Sequence, residues 1–202
     1  MIKLSSESSQ VICKSFVAGI LIGLGVIINV STSYPPLGAA LFSFGLLTII
    51  QMRLPLYTGK IGFLEKHLFK ILISNLVGIG FCVLLYCNAN PQFATTLTEL
   101  GMTKFSKTFL EMFFYGIFCG MLIHFAVKVR ISYITFLAVV IFILIGAEHC
   151  IADFPYLLYN LSSTNVLKLL CVVAGNSVGA IMIEGLVEEI WRKNNGRFSS
   201  KI

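Results

Sequence analysis

Residues 15–52 contain no charged side chain, a run long enough for two bilayer crossings at ~20 residues each. Ser31-Thr32-Ser33-Tyr34-Pro35-Pro36 supplies turn residues that divide it into helices over about 15–31 and 37–52, the second stopped by Arg53 and Pro55. Further apolar runs occupy 69–88, ended by Asn88-Ala89-Asn90-Pro91, then about 108–128, a segment starting near 131, and one from about 165. A polar stretch containing Gly101 separates the third from the fourth. Only 12% of the residues are charged, about half the share of a soluble domain. The expected fold is therefore an all-α integral membrane protein with six transmembrane helices, a single channel-like domain over 1–202.

Two of these spans are interrupted. Ile131 to Gly146 is uncharged, and Glu148, His149 and Asp153 follow at a depth where a spanning helix is still inside the membrane. Ionisable groups there are costly and mark pathways by default. The fifth helix is expected to break around 147–154 and resume briefly to about 160. Leu56-Tyr57-Thr58-Gly59-Lys60 interrupts the second run in the same manner. Broken spans in corresponding halves point to a transport site between them.

The halves also share motifs. Ala18–Gly23 reads like Tyr115–Gly120, and Ser74–Gly78 like Gly175–Gly179, at offsets of 97 and 101 residues. With three helices in each copy, the second must enter the bilayer from the opposite face. The pattern predicts two inverted repeats, about 15–88 and about 108–190. Placing both termini and the 53–70 and 128–130 connections in the cytoplasm collects twelve of the fifteen lysines and arginines there. The positive-inside rule then assigns cytoplasmic termini in a plasma (inner) membrane. Only Lys104, Lys107 and Lys168 fall on the far side. The last turns, with Glu188, Glu189, Arg192 and Lys193, are expected to emerge amphipathically.

Other classes are disfavoured. The net charge of +6 is not arranged as a basic stripe with exposed aromatics, so no nucleic-acid partner is expected. The six cysteines lack CxxC spacing and serve as small apolar residues rather than as metal ligands or disulfides. The first apolar run lacks a small-x-small cleavage site and reads as structure, not as a removable leader. No HExxH, GxSxG or paired-acid cluster suggests an enzyme, and nothing calls for a cofactor or a metal.

These residues resemble the formate/nitrite transporter family, over roughly 15–190. The likeness rests on Gly146-Ala147-Glu148-His149-Cys150-Ile151-Ala152, on Leu56-Tyr57-Thr58-Gly59, on Asn75–Gly78 with Asn176–Gly179, and on Leu41–Leu46. It implies an aquaporin-like fold and a homopentamer with one pore per subunit. Carried over, His149 is the central pore residue and Thr58 the hydroxyl facing it. Phe42, Leu46, Leu56 and Tyr57 form constrictions on one side and Phe142 on the other. Lys104 is the outer vestibule cation, with Lys60 and Arg53 at the inner mouth, and Glu148, Asp153, Asn75 and Asn176 in support. The chain departs from the family pattern at Gly120 and Asp153, each where an asparagine is usual, and at Lys60.

The chemistry implied is passage of a small monovalent anion, or of its conjugate weak acid: formate, nitrite, hydrosulfide or a short carboxylate. Apolar collars tolerate a neutral acid better than an ion. With an ordinary pKa of about 6.5, His149 could either hydrogen-bond the anion or give it a proton; the second is the expected mechanism. An ion pair between Lys60 and Asp153 is a further expectation. His124, without a matching break, is expected to pack or to sit at the lipid interface. Two alternatives remain: an ammonium channel pairing His124 with His149, and a membrane protein with no transport role.

Overall fold

The computed structural model describes residues 6–199, with side chains through Arg192. Nine α-helices account for most of them: α1 Glu7–Val30, α2 Pro35–Gln51, α3 Tyr57–Lys60, α4 Leu68–Ala89, α5 Pro91–Lys104, α6 Phe109–Val129, α7 Ser132–Leu144, α8 Phe154–Tyr159 and α9 Ser163–Ser199. A 3-10 turn, Ile61–Phe63, follows α3. Local chemistry sets the ends. Ser6 caps α1 by accepting from the amide of Ser9, and Thr108 with Glu111 forms a reciprocal capping box on α6. Pro35 and Pro91 open α2 and α5, where a missing N–H costs nothing.

Among the described residues four helices, α1, α4, α6 and α9, are long and apolar enough to cross a membrane. Their outward faces carry large apolar side chains in i, i+4 rows, such as Val77, Phe81 and Leu85 on α4 and Phe114 and Phe118 on α6. The protein is a multi-pass membrane protein. α2 and α7 are shorter apolar helices of 17 and 13 residues. At 1.5 Å per residue they reach only about 26 and 20 Å, short of a ~30 Å hydrocarbon slab.

Packing is organised by glycine. α1 packs along α4 and α2, α6 along α9 and α7, and α2 meets α7. A Cβ on Gly19 would fall on the carbonyl oxygen of Asn75, and one on Gly120 on that of Asn176. Gly78 and Gly179 abut Phe16 and Ile117 in the same manner. These contacts correspond at a constant spacing of 101 residues. Gly19 therefore matches Gly120, one helical turn beyond the Gly19–Gly116 register read from the motifs. A Gly-x-x-x-Gly row matches itself when slid by four, so the motif alone cannot choose.

Two element boundaries differ from expectation. α1 starts at Glu7 rather than near 15, because the Ser6 cap and polar first turns extend it beyond the apolar run. The polar stretch after Pro91 is the helix α5. Its buried stripe is only Phe93, Leu97 and Gly101, at i, i+4, i+8, and it packs against α8. Gly101 lies against Asn160, whose amide bonds Thr98 and Tyr156 carbonyls. Such a narrow stripe is easily lost among threonines. Of the polar residues expected at the end of the last span, Arg192 pairs with Glu189; the side chain of Lys193 lies outside those described.

Candidate functional site

Two buried asparagines hold the segments between helices. Asn75 on α4 accepts from the amide of Tyr57 at 2.9 Å and donates to the carbonyls of Ser15 (2.7 Å) and Pro55 (3.1 Å). Asn176 on α9 accepts from the amide of Cys150 at 3.0 Å and donates to Gly116 (2.8 Å) and Glu148 (2.9 Å). Both side chains are fully buried. A chain that leaves a helix inside an apolar body strands its amides and carbonyls, and these amides satisfy them. Tyr57 and Cys150 N–H groups are thereby consumed and are not free to meet a permeating anion.

Between the two segments, Thr58 Oγ1 and His149 Nε2 are 3.1 Å apart, both buried. The amide of Ala152 donates to His149 Nδ1 at 3.1 Å. Since an amide can only donate, Nδ1 is the acceptor and the ring proton sits on Nε2, directed at Thr58. The imidazole in this geometry is neutral. Phe142 lies beside it, ring centres 6.0 Å apart, and meets Phe42 edge-on at 5.9 Å.

A cavity of about 180 Å³ opens on His149, walled also by Phe42, Phe142, Asp153, Lys104 and Lys107. Its charges are interlocked. Lys104 Nζ bonds Glu148 Oε2 and lies 3.0 Å from Asp153 Oδ1, while Lys107 lies 2.9 Å from Glu148 Oε1 without hydrogen-bond alignment. Both ammonium groups also sit over rings, Lys104 over Tyr156 and Lys107 over Tyr115. With both carboxylates ionised, two cations and two carboxylates cancel. Lys104 is then part of a neutral cluster rather than a free vestibule cation. Removing one member of such a buried set is costly: Lys104→Met should destabilise the protein by ~3–5 kcal/mol. Thermal unfolding in detergent measures this, with substantial rescue expected when Asp153→Asn is added, which leaves Lys107 paired with Glu148.

A second, smaller cavity of about 40 Å³ is walled by Arg53, Leu54, Leu56, Gly59, Lys60 and Arg130. Arg53 holds a left-handed φ of 54°, as does Arg130 at 56°. Lys60 pairs with Glu65 at 2.6 Å. The expected Lys60–Asp153 pair is therefore not formed: each has a nearer partner of opposite charge. Arg130 had signalled only membrane orientation, since nothing local brings it beside Arg53.

The collar residues are also rearranged. Phe42 and Phe142 touch each other on the Lys104 side of His149, rather than standing on opposite sides. α2 and α7 pack at matched depth, which brings the two rings together. Leu46 is buried and lines neither cavity. Tyr57 also lines neither; its hydroxyl shares a hydrogen bond with Ser177 Oγ at 2.9 Å. His124 is fully buried, not at a lipid interface. Its Nε2 lies 2.7 Å from Glu184, which also binds Lys128 at 2.7 Å, and the Phe63 ring lies tilted against it at 4.6 Å. It shares no wall with His149 in either cavity. Glu184 escaped notice because its partners are on another helix.

The formate/nitrite transporter family profile matches residues 1–189. The chain belongs to the formate/nitrite transporter family. Two solved structures of this fold are similar to it. A pentameric formate channel with formate bound is 18% identical, with a TM-score of 0.71 over 94% of this chain and 98% of that one. An FNT family ion channel is 23% identical, with a TM-score of 0.78 over 90% and 89% of the two chains. No curated protein matches the chain in sequence. Among the described residues no cluster of histidine, cysteine or acidic groups could hold a metal ion.

Proposed function

We propose that this family member is an anion channel of the cell membrane that passes small monovalent anions or their conjugate weak acids, such as formate, nitrite, hydrosulfide or a short carboxylate. The observation that carries the reading is the buried His149–Thr58 pair lying between two cavities that each contain basic residues, in a chain of this family. The path runs from the Lys104 cavity, past Phe42 and Phe142, between His149 and Thr58, to the Arg53 cavity by Leu56 and Lys60. The aromatic collar admits a neutral acid more readily than a bare ion and closes by excluding water.

In this reading α2 with α3, and α7 with α8, act as the second and fifth of six crossings. They belong to two inverted three-helix repeats that form one channel domain. The matching asparagine and glycine contacts support that symmetry. The termini are cytoplasmic in a plasma membrane, and the likeness to a pentameric formate channel supports a homopentamer.

For His149, the ring geometry favours hydrogen bonding to the permeant over proton donation. Charging the ring would place a second N–H against the amide of Ala152 and break that bond. The ammonium reading needs His124 and His149 in one pore, and the Glu184 and Lys128 partners of His124 do not support it.

The test is stopped-flow uptake of a panel of weak acids, with ammonium for contrast, into proteoliposomes. Fast weak-acid uptake is expected. His149→Asn should slow it at least ~tenfold, the ~1.4 kcal/mol expected of one mismatched hydrogen bond. Unchanged rates and pH dependence in that variant would remove the imidazole from the path. No protein-dependent flux of any weak acid would favour a non-transporting membrane protein.

A further inference from the structure

The Lys104 cavity contains a carboxyl that the channel reading leaves unused. Asp153 lies at the N-terminal end of α8, only 3% exposed, and lines the same cavity as His149. Its Oδ1 faces Lys104 at 3.0 Å, but its buried Oδ2 has no donor to accept from among the described residues. Glu148 and Asp153 both face the one Lys104 ammonium, Glu148 through Oε2 and Asp153 through Oδ1 at 3.0 Å. Two carboxylates drawn to one ammonium repel each other, and a proton on Asp153 relieves that repulsion.

Charge counting shows what the proton does. With both carboxylates ionised, Lys104, Lys107, Glu148 and Asp153 sum to zero. With Asp153 protonated the cluster is left with one positive charge, in a pocket whose apolar walls strengthen its pull on an anion. His149 does not alter the sum while Ala152 holds it neutral. The other titratable groups near Asp153 are Tyr156 on α8, Cys119 on α6 and Cys150 in the break. They are neutral across the range in which a carboxyl titrates.

We propose that Asp153 is the proton carrier of this channel: protonated, it makes the Lys104 cavity attract a small anion, and it then gives that anion its proton. In the transfer the O–H bond of the Asp153 carboxyl breaks, leaving the electron pair on its oxygen. A new O–H bond forms on the substrate carboxylate. The neutral acid moves on past Phe42 and Phe142, the cavity returns to zero charge, and Asp153 is recharged from the bulk solution on its own side. Because the anion is drawn in only when the proton is already present, proton and anion travel together. This rests on the channel reading above and adds to it the group that couples the two.

The experiment uses the purified full chain in proteoliposomes with formate as the probe, at an outside pH of about 5 against about 7.5 inside, where an ordinary carboxyl and the bulk differ in protonation. Internal pH and membrane potential are followed together, with protein-free liposomes as the blank. The wild type should take up one proton per formate without current. Asp153→Asn should lose pH-driven uptake at least tenfold and carry formate as a net current, and Asp153→Glu should restore coupling. One-to-one coupling retained in the asparagine variant would overturn the proposal.

If that variant does not assemble, the wild type still decides the matter. A carbodiimide attacks protonated carboxyls in apolar surroundings, and peptide mass spectrometry should find its adduct on Asp153, increasing as pH falls from about 8 to about 5. No adduct there contradicts the assignment. A wild type that passes no formate refutes the channel reading instead, while the labelling still reports whether Asp153 holds a proton.

Discussion

Asn176→Ala should be among the most damaging single substitutions in this chain, lowering stability by about 3 kcal/mol or more. The side chain makes three hydrogen bonds, and its loss strands the Cys150 amide and the Gly116 and Glu148 carbonyls in a fully buried site. Each unsatisfied buried group costs about 1–3 kcal/mol. Water cannot readily replace the amide, because the backbone of α6 at Gly120 lies directly against Asn176. Aspartate is not a conservative exchange either. It keeps an acceptor for Cys150 but turns an oxygen toward two carbonyls that need donors.

Asn75→Ala should behave alike, since Asn75 joins Tyr57, Ser15 and Pro55 in the same three-way pattern. Asn88 is the control: it is exposed and bonds only a carbonyl one turn back in its own helix, so its alanine variant should fall within about 0.5 kcal/mol of wild type. Thermal unfolding of the purified protein in detergent, followed by size-exclusion profile, checks all three. A small loss for Asn176→Ala, comparable to that of the Asn88 variant, would mean that these amides do not hold the interrupted segments in place.

The contrast between the asparagines and the charges shows what can be read from the chain alone. Asn75 and Asn176 stood out as motif residues, and the apolar runs gave the main helices to within a few residues at most ends. What local pattern cannot supply is which distant partner a polar group meets. Asn75 and Ser15 are sixty residues apart, and so are His124 and Glu184.

The partners of the charged residues were out of reach for the same reason. Lys104 and Glu148 were each recognised, but only the fold brings them together with Asp153 in one cluster. Lys60 and Asp153 each found a closer ion than the other. Phe42 and Phe142 were both singled out, yet their contact depends on how deeply α2 and α7 interlock. The helix α5 was missed for a different reason: its buried face is three residues wide, below what hydrophobic periodicity can signal over threonine-rich sequence.

The passage of substrate between Thr58 and His149 is tested most directly by filling that gap. Thr58 is fully buried with its hydroxyl 3.1 Å from the ring, so an aromatic side chain at this position must occupy the space a permeant would use. Overpacking of this sort costs about 1–3 kcal/mol, which a multi-pass helical protein of this size can absorb. Thr58→Phe, purified in the same oligomeric state as wild type and reconstituted at equal density, should therefore retain its fold but lose weak-acid uptake by at least ~100-fold, equal to ~2.7 kcal/mol on the barrier. Uptake within a factor of about two of wild type, ~0.4 kcal/mol on the same scale, would place the route elsewhere in the molecule.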